Sequence, residues 1–579
     1  FICLYNWILE NKQLFIKTTV ELFSRIKCRT LLKPTFIYSR LLRTSFHPDV
    51  LRNPVDRNIL LGRIALSSSL RDMNKISFNE VEDLLRGDIP YFTAYTNSTF
   101  IKDSGDEVVE DFYINSSPLD NIKEKVLTSS HQDLEKQLTF IDISFAHNAP
   151  NQKKSATGIK FSSSTTDSLT LTRDEQLELA IKIGDRLIAK SIEGNEDKSV
   201  DRSWLGLMIM GKNEVTTSIS SVGPDLYRGN SGIGMYFAFL SSITGEKRFK
   251  SAAIETIKPI LGFIDRLKNQ KINERIDFSV GAFTGVSGII YALFYIGKYT
   301  ERKDLIDIVY DNVDLLLRYI KNTSNYELIS GLAGCLGVII SLYHNTMNSE
   351  KKKQLLSLAN EISSQLKSNC TFYSEESIFW EPLEEAEGYT GFAHGTSGIS
   401  ANLMRLYDIN KDLEILSIVE KSLNFERSLL NEEGTNWYIN MNQKSSSLAW
   451  CHGAPGILLN RILLKQFGYN DEFLDQEIRM ALTTTMENGF NLNRTLCHGD
   501  LGNIRILEHA AKILSDEDLE KRCKSTYESY FKNFLLENWD KGMFRRFENY
   551  GLMIGLCGEG YSILQNVTNN NFPNVLWLE

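Results

Sequence analysis

From residue 200 onward, the chain alternates between predicted helices of two kinds. Segments that are apolar on every side, such as 233–240, 289–296 and 457–464, alternate with segments that are apolar on one face only, such as 303–319 and 351–365. A helix that is apolar all round is buried, whereas a two-faced helix lies at a surface. The pattern therefore predicts helix pairs, each with an inner and an outer member.

A Gly-x-x-Gly sequence precedes most of the predicted inner helices. Seven such sequences recur along the chain, and their first glycines are 56, 46, 64, 58, 46 and 56 residues apart. Repeated helix hairpins stack either into an open solenoid or into a closed ring. We predict closure into a double-layered α/α toroid of seven hairpins, because the chemistry below needs repeats 4, 5 and 6 to meet. The first glycines are Gly229, Gly285, Gly331, Gly395, Gly453, Gly499 and Gly555.

The chain before residue 173 differs in pattern from this main domain, which is predicted to be all-α over 173–579. Residues 1–146 are predicted to be mixed but mostly helical. Residues 147–172 are rich in Asn, Ser, Thr and Lys, which is typical of a linker or surface loop. The sequence does not begin with Met, so we expect it to lie inside a longer reading frame.

Composition narrows the class of protein. A net charge of −9 argues against a nucleic-acid partner, because neutralising phosphates requires a basic surface. Eight cysteines in 579 residues are too few for a disulfide scaffold and favour reduced thiols in a cytoplasmic protein. The apolar segment 1–9 is too short to span a bilayer.

Two cysteines occupy equivalent positions in neighbouring repeats. Cys451 and Cys497 each lie two residues before the first glycine, and His498 follows Cys497 directly. Thiolates and imidazoles bind Zn²⁺ strongly, and three protein ligands with an open fourth position are typical of catalytic zinc. The alternative is that both cysteines are small packing residues. We predict that Cys451, Cys497 and His498 bind one zinc ion.

Two more histidines share the position of His498, one residue before a first glycine. His394 belongs to repeat 4 and has no adjacent cysteine, whereas His452 follows Cys451. An imidazole near a metal can transfer protons close to pH 7. We predict this role for His394, with a packing histidine as the alternative. His452 is expected to lie beside the metal without binding it.

These motifs resemble those of the lanthionine synthetase C-like family. The resemblance rests on His-Gly-x-x-Gly at 394–398, Trp-Cys-x-Gly at 450–453 and Cys-His-Gly at 497–499, and it covers about residues 172–579. Residues 1–146 are similar to the closing portion of the dehydratase domain of class II lanthipeptide synthetases. The kinase-like catalytic part of that domain would lie upstream.

The resemblance implies a reaction and a set of roles. Zinc on Cys451, Cys497 and His498 would bind a cysteine thiolate of a dehydrated precursor peptide, which attacks dehydroalanine or dehydrobutyrine. His394 would protonate the enolate, giving a lanthionine or methyllanthionine ring. Glu327 matches an acidic residue of the family, although Asp is usual there. The resemblance implies a cytoplasmic enzyme that works with its upstream dehydratase part, and it leaves open an association with an export complex at the membrane.

Three other functions remain open from the sequence. One is a member of the same superfamily that adds glutathione or other thiols to dehydrated residues of proteins. Another is a zinc-dependent prenyltransferase built on an α/α ring, although that enzyme would want a carboxylate ligand. The third is a non-catalytic ring that binds peptides. The likeness of residues 1–146 to a dehydratase favours the peptide cyclase, and we expect this chain to cyclise but not to dehydrate.

Overall fold

The structure is a computed structural model, and it shows two units along the chain, Phe1–Leu138 and Thr139–Glu579. Most of the predicted linker, 147–172, lies outside the described residues. Of its described part, Ile159 and Phe161 are buried in the apolar core of the second unit. The structure describes residues 1–67, 73–147, 157–162, 171–194, 200–210, 216–269, 278–381, 387–536 and 548–579.

The first unit is mixed but mostly helical, as predicted. Its four strands form one antiparallel sheet in the order β1-β2-β3-β4. Lys33 and Tyr38 both bind the buried carboxylate of Glu80, at 2.6 and 2.7 Å. The elements are α1 (Ile2–Glu10), α2 (Lys12–Phe23), β1 (Lys27–Thr30), α3 (Thr35–Ser45), α4 (Pro48–Leu51), α5 (Pro54–Gly62), α6 (Ser77–Arg86), β2 (Phe92–Tyr95), β3 (Phe100–Lys102), β4 (Val108–Tyr113), α7 (Pro118–Thr128) and α8 (His131–His147), with 3₁₀ turns at Arg63–Ser67 and Met73–Ile76.

The described part of the second unit contains seven inner helices, each starting at a Gly-x-x-Gly turn. They are buried along nearly their whole length, as their continuous apolar sequences predict. Neighbouring inner helices pack against each other from the first to the sixth, and the last packs against the first. Between the sixth and the seventh, Arg505 donates a hydrogen bond to the carbonyl of Ser562 at 2.8 Å, so the ring closes. The inner helices are α10 (Asn230–Thr244), α12 (Val286–Thr300), α15 (Leu332–Asn345), α17 (Thr396–Asn410), α19 (Ala454–Gln466), α21 (Asp500–Leu514) and α23 (Leu556–Val567).

An outer layer of two-faced helices surrounds the inner one. In α18, for example, Ile415, Val419 and Leu423 are buried at a spacing of four residues. The predicted outer helix over 303–319 is broken at Asn312 into α13 and α14. The outer helices are α9 (Arg173–Lys190), α11 (Lys247–Asn269), α13 (Lys303–Asp311), α14 (Val313–Ile320), α16 (Ser349–Ser368), α18 (Leu413–Ser428), α20 (Leu474–Asn488) and α22 (Glu517–Leu536).

The prediction of a double-layered α/α toroid of seven helix hairpins is confirmed. The second unit also contains short β-hairpins. None of the helices in the described residues is long and apolar enough to cross a membrane. The strands of the second unit are β5 (Ile192–Gly194), β6 (Asp201–Ser203), β7 (Leu205–Met210), β8 (Thr216–Ser221), β9 (Thr371–Ser374) and β10 (Ser377–Phe379).

Main-chain hydrogen bonds join the Gly-x-x-Gly turns, in the order of repeats 6, 7, 1, 2, 3, 4 and 5, along a rim at one end of the inner helices. The residue two positions before the first glycine makes most of these bonds. Candidate site residues that are far apart in sequence therefore lie on one rim. The bonds run from the amides of Tyr227, Phe283, Leu328, Ala393, Cys497 and Met553 to the carbonyls of Phe283, Ile329, Ala393, Cys451, Met553 and Tyr227, at 2.8–3.3 Å.

The second glycine of each turn lets the inner helix start against its own turn. At Gly456, a Cβ atom would lie 2.4 Å from the carbonyl oxygen of Trp450. That distance is shorter than any real contact, so a larger residue would push the helix away from the rim.

Candidate metal centre

Three potential metal ligands converge on the rim between repeats 5 and 6. One ligating atom each from Cys451, Cys497 and His498 lie within 4.8 Å of one another. Cys451 and Cys497 are buried, and His498 is half-buried. The Cys497 Sγ and His498 Nε2 atoms are 3.7 Å apart. The structure therefore brings together the three residues that the sequence predicts as ligands.

The turn before α19 is held in a conformation that places Cys451. Gly453 has a φ of +86°, which an L residue rarely adopts. The Asn436 side chain makes two hydrogen bonds to the main chain of this turn. Its Oδ1 accepts from the amide of Ala454 at 2.8 Å, and its Nδ2 donates to the carbonyl of Ser447 at 3.0 Å. The fully buried Trp450 donates from Nε1 to the carbonyl of Leu576. These contacts fix the position of the first thiol.

A second polar side chain organises the turn before α21. The Asn493 Oδ1 atom accepts from the amide and the hydroxyl of Thr495, at 3.0 and 2.7 Å. Its Nδ2 donates to the carbonyl of His498, whose own amide donates to the Thr495 hydroxyl. Cys497 lies in the middle of this hydrogen-bonded loop, so its thiol and the neighbouring imidazole are presented together.

The two thiols shift each other's pKa in opposite directions. The hydrogen bond from Cys497 lowers the pKa of Cys451 well below its usual value, with further lowering by His498, although burial opposes this. Burial and the neighbouring Cys451 raise the pKa of Cys497. Two soft sulfur donors and an imidazole form a donor set that suits Zn²⁺, and a divalent cation would favour ionisation of both thiols. The residues present thus fit a zinc ion.

His394 lies beside this cluster and is paired with Glu327. Its Nδ1 atom is 3.0 Å from the Glu327 Oε2 atom, and the His394 side chain is 46% exposed, whereas that of Glu327 is 13% exposed. The carboxylate also accepts hydrogen bonds from the amides of Ile329 and Ser330. Burial lowers the pKa of His394, but the bond and charge of Glu327 and the charge of Cys451 outweigh it, so the net pKa is raised. The longer glutamate therefore reaches the imidazole.

His452 stacks on His394 without joining the ligand cluster. The two imidazole rings have centroids 5.3 Å apart and planes inclined by 22°. The Nδ1 atom of His452 is 3.3 Å from the carbonyl oxygen of Thr390. Burial and the charge of His394 lower the pKa of His452, which keeps it neutral near pH 7.

Lys444, which lies six residues before Trp450 in the sequence, is exposed and pairs with Glu432.

One residue of the site was missed from the sequence. Tyr227 of repeat 1 lies close enough to Cys497 and Cys451 for their charges to act on its hydroxyl group. Burial and the charges of Cys497 and Cys451 raise the pKa of Tyr227 well above its ordinary value. The available signal was the repeat register, because Tyr227 lies two residues before Gly229, as Cys451 and Cys497 lie before their own glycines.

Comparisons with known proteins agree with this architecture. The model of the lanthionine synthetase C-like protein family matches residues 220–577, and that of a domain of unknown function, DUF4135, matches residues 1–95. The lacticin 481/lactococcin biosynthesis protein LcnDR2 of Lactococcus lactis subsp. lactis is 24% identical over 99% of this chain, and the chain spans 59% of that relative's length.

Two further proteins are similar to parts of this chain. The glutathione S-transferase LANCL1 of Danio rerio is 22% identical over 51% of this chain and 72% of its own. The solved structure of nisin cyclase aligns with a TM-score of 0.48 and 18% identity, covering 61% of this chain and 92% of nisin cyclase.

The family match covers more than half of the chain, and the LcnDR2 match extends through the preceding domain as well. Together with the DUF4135 match, it confirms the resemblance to class II lanthipeptide synthetases. This chain belongs to the lanthionine synthetase C-like family.

Proposed function

We propose that this chain is a zinc-dependent lanthionine-forming cyclase. It adds cysteine thiolates of a dehydrated, lantibiotic-type precursor peptide to dehydroalanine or dehydrobutyrine, and so closes thioether rings. The observation that carries the proposal is the approach of Cys451, Cys497 and His498 to within 4.8 Å, next to a histidine that is paired with a carboxylate. In this proposal residues 173–579 are the cyclase domain, 147–172 are a linker or surface loop, and 1–146 are the closing portion of a dehydratase domain.

The three ligands would leave a coordination position for the peptide. Zinc in this site supplies a Lewis acid that favours the thiolate form of a peptide cysteine at neutral pH. The ligand set of Cys451, Cys497 and His498 carries two negative charges, which limits the withdrawal of electron density from a further thiolate. The sulfur therefore stays nucleophilic.

His394 supplies the proton that the reaction requires. As the S–Cβ bond forms, the π electrons of the dehydro residue move to an enolate, and Cα then takes a proton. Glu327 binds the Nδ1 side of His394, which leaves Nε2 to donate that proton. The raised pKa of His394 favours its cationic form, and the net reaction joins a thiol and an alkene without oxidation or reduction.

The deciding experiment measures metal content and cyclisation together. The purified chain should contain one zinc ion, and C451A and C497A should lose it along with protection of peptide cysteines from alkylation. The matched control is C335A, which removes a buried thiol from α15 that is not in the cluster. A wild-type chain without bound metal would contradict the proposal.

A second candidate is the addition of glutathione to dehydrated residues, which the likeness to LANCL1 favours. Offering a dehydrated, cysteine-containing peptide together with glutathione separates the two. A product without added mass and with fewer alkylatable thiols indicates ring closure. A product heavier by one glutathione indicates the second candidate, and an unchanged peptide indicates a non-catalytic ring.

A further inference from the structure

Residues 571–579, which follow α23, lie inside the ring and are called the central segment below. Residues 572–578 are buried. The central segment contacts six of the seven inner helices, in each case at the tenth residue of the helix. Because a helix rises about 1.5 Å per residue, the central segment crosses the ring about 14 Å from the helix starts at the rim. The six contacting residues are Phe239, Tyr295, Ser341, Arg405, His509 and Gln565.

Polar side chains of the inner helices bind the main chain of the central segment. The guanidinium group of Arg405 donates to two successive carbonyls, those of residues 577 and 578, at 2.7 and 3.0 Å. The hydroxyl groups of Tyr295 and Ser341 donate to the carbonyl of Glu579, at 2.7 and 2.9 Å. Buried carbonyls that lose such partners cost free energy, so these bonds fix the path of the central segment.

Trp450 connects the central segment to the metal cluster. Its Nε1 atom donates to the carbonyl of Leu576 at 3.1 Å. The indole is fully buried and packs against Phe283 and Phe392, with ring centroids 5.1 and 6.1 Å apart. Trp450 directly precedes Cys451 in the sequence. One of the predicted metal ligands is therefore adjacent to a side chain whose hydrogen-bond acceptor belongs to the central segment.

This connection restricts the position of Cys451. A buried indole N–H group that loses its acceptor costs free energy, so Trp450 keeps the orientation that reaches Leu576. The carbonyl of Leu576 is itself held, because Arg405 binds the two carbonyls that follow it. A ligand that is fixed before the metal arrives loses less conformational entropy on binding, which increases the affinity for the metal.

We infer that the central segment positions Cys451 for metal binding, and that Arg405 is a positioning residue that acts through Leu576 and Trp450. The inference rests on the proposed metal centre, but it concerns how one ligand is held and not the chemistry of ring closure. It gives a function to contacts that lie in the interior of the ring, away from the rim.

The first measurement is the zinc affinity of the full chain, determined by competition with a chelating dye. R405M and W450F should each raise the Kd for zinc roughly threefold to tenfold, the factor expected for the loss of one hydrogen bond. R405M/W450F should bind zinc no more weakly than W450F, because both changes break the same connection. An unchanged Kd in R405M would overturn the inference. Additive effects would also overturn it, since an arginine that only stabilises the fold acts independently of Trp450.

A milder variant keeps the test decisive where R405M does not fold. Y295F/S341A removes two hydroxyl groups that bind the central segment and lie far from the rim. The matched control Y236F/S241A removes two buried hydroxyl groups of α10 that donate to carbonyls of α9 and α10. Y295F/S341A should raise the Kd for zinc about threefold, and the control should keep the wild-type value. Equal Kd values in the two variants would contradict the inference.

Hydrogen exchange of the full chain without added metal separates this inference from the proposed function. The amides of Ala449 and Ala454 are hydrogen-bonded in the turn that contains Cys451, at 3.1 and 2.8 Å. Peptide 446–456 should exchange faster in Y295F/S341A than in Y236F/S241A, and equal rates would overturn the inference. A wild-type chain without zinc affinity would contradict the proposed function, while the exchange rates would still decide whether the central segment holds Cys451.

Discussion

The Nδ1 atom of His394 lies 3.0 Å from the Oε2 atom of Glu327, and two main-chain amides hold that carboxylate in place. The pair bridges repeats 3 and 4, whereas the metal cluster belongs to repeats 5 and 6. The groups proposed for acid–base chemistry and for metal binding therefore come from different hairpins, so each can be altered while the other is kept.

The charge of Glu327 should set the alkaline limit of activity. It raises the pKa of His394 against the effect of burial, so the neutral amide of E327Q should let that pKa fall. Because the protonated imidazole is the active form, cyclisation by E327Q should decline at a lower pH than in wild type. The pH dependence of kcat measures this shift. Glu432, exposed and paired with Lys444, provides the control E432Q, which should keep the wild-type profile.

Removal of the His394 imidazole should separate chemistry from metal binding. H394N should retain the zinc content of wild type, because His394 is not in the ligand cluster. Its rate of ring closure should fall roughly 10²- to 10⁴-fold, the usual contribution of a positioned proton donor. Alkylation protection of a dehydrated peptide measures the rate, and metal analysis of the same sample measures zinc. A normal rate would show that another group supplies the proton.

The repeat pattern made the ring and the convergence of Cys451, Cys497 and His498 predictable, for local physical reasons. Every turn requires glycines for the same close approach, so the register carries Cys451 and Cys497 to equivalent places on one rim. The break at Asn312 was not predictable, because the apolar face continues on both sides of it.

Contacts between side chains of different repeats could not be predicted from the sequence. Tyr227 precedes Cys497 by 270 positions, and nothing local distinguishes it from the apolar residues at the same register in repeats 2 and 3. The stacking of His452 on His394 likewise depends on how repeats 4 and 5 meet. Such contacts follow from packing between hairpins, which the pattern within one hairpin does not encode.

Zinc should contribute to the stability of the ring, because its ligands link repeats 5 and 6. A ligand that binds only the folded state at 100 times its Kd adds about 2.7 kcal/mol to the free energy of unfolding. Chelation should therefore lower the Tm of wild type, and zinc should restore it. C497A, already without metal, should have the same Tm with and without the chelator. A wild-type Tm that does not respond to chelation would contradict this prediction.

A buried ion-pair network around Arg461 should contribute strongly to the free energy of unfolding of the ring. The fully buried Arg461 of α19 donates from Nη1 to Glu426 at 2.7 Å and from Nε to Glu477 at 2.9 Å. Glu426 also accepts from the hydroxyls of Thr396 and Ser397, which open the helix after His394. The network thus connects the outer helices to the turn that carries the proton donor.

R461M should leave both carboxylates buried without their shared cation, which costs about 3–5 kcal/mol of unfolding free energy. Urea denaturation measures this loss. K465M is the control on the same helix. It removes an exposed pair with Asp475 and should cost no more than about 1 kcal/mol. Equal losses in the two variants would contradict the assignment of stability to the buried network.

The same variant should change the response to acid. Burial by itself raises the pKa of Glu477, but Arg461 and Arg427 outweigh it and leave that pKa below its usual value. A carboxylate with a lowered pKa stabilises the fold above its ordinary pKa, and this stabilisation is lost as the pH falls through the folded-state value. Without Arg461 the pKa of Glu477 rises, so R461M should begin to lose stability at a higher pH than wild type. Urea midpoints measured from pH 7 down to pH 4 test this. Parallel curves for wild type and R461M would show that Arg461 does not hold Glu477 in its charged form.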